Sequence, residues 1–305
     1  MLVIAHANPG VFRRLAEALR HPAIRLFVHL DARVDEQPFR GPGQDHVTFL
    51  TDRQANHWAS FTQVEVALRL FRAARAAGLF RSFALISGDS LPLVANEVLL
   101  AALGATPTVM QRSLLQPGHR FFRRLRDVYI PHTTIGLLRG HQTFLDRTLE
   151  DQDVEEAIRA IRTRPLKQAF PYPFYKGSQW MALSDADLGA ILGFLDAHPD
   201  YVEVFRYSLM PDEHFFQTAQ MHLQPGFRGP DGIMGADWSR QPLPFVFTDP
   251  AELPRVTQSG WLFYRKFSDA GLAMVDAVLA ARRDAAAVRD SGAGIARELL
   301  ERAVK

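Results

Sequence analysis

Cysteine is absent from all 305 residues. Disulfides, zinc–thiolate sites and cysteine nucleophiles are therefore excluded, and a reducing compartment suits the chain. Long apolar runs are missing too. No stretch approaches the ~18 residues of a membrane-spanning helix, and Met1-Leu2-Val3-Ile4-Ala5-His6 lacks the basic start and apolar core of a secretion signal. Nor is there an excess of charge: 35 Lys and Arg against 33 Asp and Glu leave a formal +2, too little to draw nucleic acid to the protein as a whole. The phosphate loop, HExxH and the GxSxG elbow do not occur. What remains is a globular balance, 47% hydrophobic and 22% charged, sufficient for a sizeable core. We expect a cytoplasmic protein, with peripheral contact to a membrane as an option.

The first half alternates strand and helix. Leu2–Ala5 is a short apolar run ended by the turn signal Asn8-Pro9-Gly10. Val11–Arg20 has helical spacing, Ile24–Leu30 and Val47–Leu50 read as strands, and Phe83–Ile86 as a buried strand ending at Ser87-Gly88-Asp89. Between them Ser60, paired with Gln63 as a capping box, opens a helix that Gly78 stops. This order predicts an α/β fold with a mostly parallel sheet flanked by helices. Ligands in such sheets bind at the carboxyl ends of strands, where His6, Asp31 and Ser87 to Asp89 fall.

The second half is less regular. Pro165–Pro173 reads as a loop, Trp180–Leu183 as a strand, Ser184–Ala197 and Pro211–Met221 as helices, and Pro225–Pro244 as a loop. Trp261–Tyr264 is a short strand, and helices at Ala270–Arg283 and Ile295–Ala303 close the chain. Without repeats or a low-complexity linker, one domain is expected over 1–305. Its two halves cover about 1–110 and 111–269, and its terminal helices 270–305.

Two acidic pairs imitate a metal-binding Asp-x-Asp. Asp185-Ala186-Asp187 follows Ser184 in a capping box, and acidic residues in a first helical turn are stabilised by the helix dipole. Asp151-Gln152-Asp153 opens another predicted helix in the same way. No metal site is expected. The glycines of Gly292-Ala293-Gly294 follow a polar stretch rather than a strand, so they are discounted as a dinucleotide fingerprint.

Four segments can carry chemistry. Pro211-Asp212-Glu213-His214 places Glu213 near a helix start, where a carboxylate can deprotonate a hydroxyl; the plain alternative is an acidic residue favoured by the dipole. Arg265-Lys266 ends a strand with two cations able to neutralise a departing diphosphate, or simply to face solvent. Gln179-Trp180 puts a large aromatic at a strand start, for a sugar face or for the core. Arg112, Arg120, Arg123, Arg124 and Arg126 surround Phe121 and Phe122. This basic run could contact a phosphorylated acceptor or an anionic membrane, though a solvated loop is the simpler reading.

In this order, these segments resemble the core-2/I-branching β-1,6-N-acetylglucosaminyltransferase family, which includes peptide O-xylosyltransferases. The likeness runs from about residue 2 to 269. It takes in Ile4-Ala5-His6-Ala7-Asn8-Pro9, Phe27-Val28-His29-Leu30-Asp31-Ala32-Arg33, Trp58-Ala59-Ser60-Phe61 and Leu85-Ile86-Ser87-Gly88-Asp89-Ser90-Leu91-Pro92-Leu93. It continues through Lys176-Gly177-Ser178-Gln179-Trp180, Pro211-Asp212-Glu213-His214-Phe215-Phe216 and Phe263-Tyr264-Arg265-Lys266-Phe267.

The resemblance implies a GT-A-like fold and an inverting, metal-independent glycosyltransferase with no cofactor, in which UDP-sugar is the donor substrate. Its base would be Glu213, and its diphosphate partners Arg265 and Lys266, with Arg240 as a further arginine. Asp31 and Arg33 would lie near the uridine, Ala5 at the first-strand end, and Gln179 and Trp180 in the donor site. Asp89 sits one residue earlier than in the family's Ser-Gly-x-Asp-x-Pro, with Ser90 in its place.

The chain is similar to compact bacterial relatives associated with surface polysaccharides. UDP-GlcNAc is the leading donor, ahead of UDP-xylose, UDP-galactose and UDP-glucuronate. The acceptor would be a glycan or lipid-linked glycan. One rival is a glycan hydrolase, for which no second carboxylate facing Glu213 is identified. The other is a non-catalytic UDP-sugar or glycan-binding protein.

Overall fold

The computed structural model describes residues 1–129 and 158–288. The expected helices at Asp151–Glu156 and Ile295–Ala303, and Gly292 to Gly294, lie outside the described residues. The strands are β1 (Leu2–Ala5), β2 (Leu26–Leu30), β3 (Val47–Phe49), β4 (Ser82–Ser87), β5 (Leu91–Pro92), β6 (Ser113–Leu114), β7 (Tyr175–Lys176), β8 (Ala182–Ser184), β9 (Met234–Ala236) and β10 (Phe263–Arg265).

The principal sheet has the order β3-β2-β1-β4-β8. Its first four strands are parallel and β8 is antiparallel to β4. From β1 the chain moves outward to β2 and β3 on one side and to β4 on the other. Open α/β sheets generally bind ligands at such a reversal, here at the carboxyl ends of β1, β2 and β4. Every residue of β1 and β2 is buried, as expected of parallel strands covered on both faces. Alternate side chains divide between two cores. Val3 and Val28 pack with Phe12 and Leu15 of α1 (Pro9–Ala18). Leu2, Ile4 and Phe27 pack with Val64, Leu68 and Phe71 of α2 (Thr62–Ala77).

The remaining helices are α3 (Asn96–Ala105), α4 (Arg123–Arg126), α5 (Arg164–Ala169), α6 (Asp185–Ala197), α7 (Pro199–Arg206), α8 (Phe215–Leu223), α9 (Leu253–Thr257) and α10 (Leu272–Val288). Ser184 caps α6 by accepting from the Asp187 amide at 3.0 Å, and Asp185 pairs with Arg75. The Asp-x-Asp spelling is thus a helix start. Among the described residues, no helix is long and apolar enough to cross a membrane.

Several local expectations shift. Helix α2 starts at Thr62 rather than Ser60, because Ala59 takes a left-handed conformation (φ 64) and turns the chain first. The capping groups act in that shifted frame: Ser60 Oγ accepts from the Thr62 amide, and Gln63 Oε1 from the Ala59 amide. Pro165–Pro173 is not all loop, since Arg164–Ala169 is helical with proline in its first turn, where a missing N–H costs nothing. The predicted helix Pro211–Met221 divides into a 3₁₀ turn, Pro211–Glu213, and α8, with His214 between them. Helix α7 is an addition to the expected elements; it starts at Pro199, immediately after His198 has ended α6.

A second sheet, β5-β10-β9, lies beyond the turn that follows β4. Strand β10 is antiparallel to β5, with Tyr264 opposite Leu91, and parallel to β9, with Arg265 opposite Ala236. Strands β6 and β7 form a separate antiparallel pair, with Ser113 opposite Lys176.

Candidate functional site

The ends of β1, β2 and β4 bring the first group of residues together. Ala5, at the tip of β1, is buried. Gly88 packs directly on it: a Cβ at Gly88 would lie 2.7 Å from Ala5 Cβ, and the Gly88 amide donates to the Ile4 carbonyl at 2.8 Å. Glycine is required there by close approach. It sets the Ser87–Asp89 turn against β1.

Asp31 closes β2. Its carboxylate accepts from Arg33 Nε and Nη2 at 2.9 and 2.7 Å, and from the amides of Arg33 and Asn56 at 2.9 Å each. Burial pushes this carboxyl up, but the bonds from Arg33 and the Asn56 amide outweigh it and hold it well below the usual carboxylate range. The Asp31–Arg33 pair is thus a fixed charged unit with its guanidinium half exposed.

Asp89 is the anchor of the second group. It is buried, and it accepts from Ser87 Oγ at 2.5 Å and from Arg265 Nε at 3.2 Å. Lys266 Nζ lies 3.4 Å from its other oxygen. Burial raises the Asp89 carboxyl, yet the charges of Arg265 and Lys266, with the bonds from Ser87 and Arg265, bring it below its ordinary value. From its early position in the turn, Asp89 holds the two cations that β10 delivers. His6, at the end of β1, senses both groups. Desolvation lowers its pKa; the charges of Asp89 and Asp31 raise it, and those of Lys266 and Arg265 lower it.

Trp180 extends this cluster. The Arg265 guanidinium lies 5.2 Å from the centre of its ring, a cation–π contact. Gln179 beside it is buried, and its Nε2 has no hydrogen-bond partner among the described residues. Arg240 does not join the cluster directly. It is held by Asp237 and Glu252 at 3.0 Å each and stacks on Phe245 at 3.7 Å. The Phe245 carbonyl accepts from the Lys266 amide, so Arg240 is linked to Lys266 through Phe245.

Glu213 lies at the end of the 3₁₀ turn after Met210, whose left-handed backbone (φ 52) redirects the chain. Its Oε2 meets Arg124 Nη1 at 3.0 Å and Lys176 Nζ at 3.2 Å. Sequence alone assigns neither cation to the site. Arg124 belongs to the basic run whose simpler reading is a solvated loop, and Lys176 to the segment read for its aromatic; their common signal is a basic residue near an aromatic one. Arg112 also departs from the loop reading, being bonded to Asp231 and to the Met110 and Gly229 carbonyls. Asp212, beside Glu213, is buried with Oδ1 unpartnered among the described residues. Burial first, and then the Glu213 charge, push its carboxyl up to about 7. Desolvation also lowers the neighbouring His214 to about 3, keeping it neutral.

One short segment joins the two halves. At its start Lys176 pairs with Glu213, and the Gly177 amide donates to the Glu213 carbonyl at 2.8 Å. At its end Trp180 lies under Arg265. A stretch this short spans at most about 14 Å between its end Cα atoms. Its middle is pinned by Gln217 Nε2, which donates to the Ser178 carbonyl at 2.8 Å. Glu213 and Arg265 are therefore in contact with opposite ends of the same strap.

A family model described as Core-2/I-Branching enzyme matches residues 1–231. The chain belongs to this family. Core-2/I-Branching enzymes are glycosyltransferases, so the substrates are a nucleotide-sugar donor and a glycan acceptor. No curated protein matches the chain. In this Core-2/I-Branching enzyme the matched span contains Ala5, Asp31, Arg33, Asp89, Gln179, Trp180 and Glu213. Arg240, Arg265 and Lys266 lie past its end. The pairing of β10 with β5 returns Arg265 and Lys266 to Asp89.

Proposed function

We propose that the protein transfers N-acetylglucosamine from UDP-GlcNAc to a glycan hydroxyl, with inversion at the anomeric carbon and without a metal ion. Glu213 takes the proton from the acceptor hydroxyl as its oxygen attacks. The bond to UDP breaks on the opposite face, and the electron pair leaves on a diphosphate oxygen. Arg265 and Lys266 stabilise that charge where a metal would otherwise act. Asp31 and Arg33 hold the uridine, with Ala5 leaving room beside it; Gln179 and Trp180 border the sugar; Arg240 supports the diphosphate side through Phe245. The acceptor is a glycan or lipid-linked glycan of a bacterial surface polysaccharide, met in the cytoplasm or at the membrane surface.

The observation that carries this reading is the Lys176–Trp180 strap, with Glu213 on one end and the Arg265 member of the Arg265–Lys266 pair on the other. The test is a UDP-sugar panel scored by binding and by slow donor hydrolysis, with and without EDTA. UDP-GlcNAc is expected to lead the panel, with turnover unchanged in EDTA. Strict dependence on added manganese would overturn the metal-free mechanism, and preference for another UDP-sugar would reassign the donor.

A further inference from the structure

Beside Glu213, three cations among the described residues lie against one aromatic ring. The guanidinium carbons of Arg120 and Arg124 lie 4.6 and 4.1 Å from the Phe121 ring centre, and Lys176 Nζ lies 5.1 Å from it. Among the described residues, the carboxylate paired with them is Glu213, which binds Arg124 and Lys176 through the single atom Oε2. Asp212 also feels Arg124 and Lys176, but burial raises its carboxyl to about 7, so near neutral pH it carries only part of a charge. Arg120 is exposed and has no ion pair among the described residues.

Like charges held this close repel one another, and an aromatic face offsets that repulsion only weakly. An anion among them would relieve it. Arginine offers a planar fork to carboxylate or phosphate oxygens, and lysine a point charge. The location narrows the source. The Arg124 and Lys176 side chains are only 21% and 25% exposed, so a flat membrane reaches them poorly while a small group can enter.

We propose that the Phe121 face is an acceptor subsite and that the acceptor carries a carboxylate or phosphate within about one sugar unit of the reacting hydroxyl. This rests on the reading of Glu213 as the base. Because Arg124 and Lys176 touch both the ring and Glu213, an anion bound between Arg120 and Arg124 lies one side chain away from that carboxylate. The subsite thereby selects acidic acceptors and sets the hydroxyl against the base.

The test uses the full chain and measures binding without donor, so it does not depend on turnover. Tetragalacturonate is compared calorimetrically with its carboxyl-reduced twin, and glucose 1-phosphate with methyl glucoside; phosphatidylglycerol vesicles are compared with phosphatidylcholine vesicles by co-sedimentation. We expect at least one anionic sugar to bind about tenfold more tightly than its neutral twin, and Arg120→Glu to bring the ratio near one. The first comparison reports a carboxylate source and the second a phosphate source. Equal binding of both pairs, a ratio unmoved by Arg120→Glu, or binding to anionic vesicles alone would overturn the proposal. UDP-sugar hydrolysis by the same preparation reports separately on the glycosyltransfer reading.

Discussion

The Gly177 amide donates to the Glu213 carbonyl at 2.8 Å, which ties the strap to the turn that carries the acidic side chain. Gly177 also has no room for a side chain: a Cβ would collide with the Gln111 carbonyl oxygen. Gly177→Ala is expected to lower stability by about 1–3 kcal/mol, the usual cost of overpacking, and to reduce transfer by displacing Glu213. Thermal unfolding and a transfer assay check both effects. Wild-type activity would show that the strap does not position the carboxylate.

Glu213→Gln keeps the shape of the side chain and removes its ability to take a proton. Transfer should fall by roughly 10²–10⁴ while UDP binding persists. Steady-state kinetics and a UDP titration separate the two effects, and full turnover would remove Glu213 from the reaction.

Lys266→Ala removes one of the two cations held by Asp89. UDP affinity should drop by about tenfold or more, the scale of one lost charge-assisted contact. Isothermal titration with UDP measures it, and unchanged affinity would place the diphosphate elsewhere.

Asp212 links stability to pH. Its carboxyl is raised in the folded chain from 3.8 to about 7, so the native state holds the proton more tightly than the unfolded state. This contribution is complete below about 3.8 and is lost as pH rises through about 7. Asp212→Asn cannot ionise and escapes that loss. Chemical unfolding across this window should show the variant gaining on the wild type by up to about 4 kcal/mol. A pH-independent difference would mean that the buried carboxyl does not titrate there.

The parallel sheet was legible because its strands are short, mostly apolar and separated by turn signals, and because buried parallel strands need no alternation. The ends of β1, β2 and β4 then located Asp31 and Asp89 directly. Local context misled where a residue could act in two ways. Pro165 reads as a breaker, yet it sits in the first turn of α5, where it is harmless. Arg124 reads as solvated because nothing local distinguishes it; its partner Glu213 is 89 residues away. The tie between Asp89 and Arg265 spans 176 residues, and only the pairing of β10 with β5 makes it visible.

That long tie has a consequence for how the chain can be divided. A fragment stopped at residue 231 would keep Asp89 in the interior while deleting Arg265 and Lys266, leaving an anion with no counter-charge and strand β5 without its neighbour. It would also lose Phe247, Phe263 and Phe267, all buried against the same core as β1 and α1. The last fifth of the described chain is thus a keystone: excising it would cost the principal sheet its integrity before any question of catalysis arose.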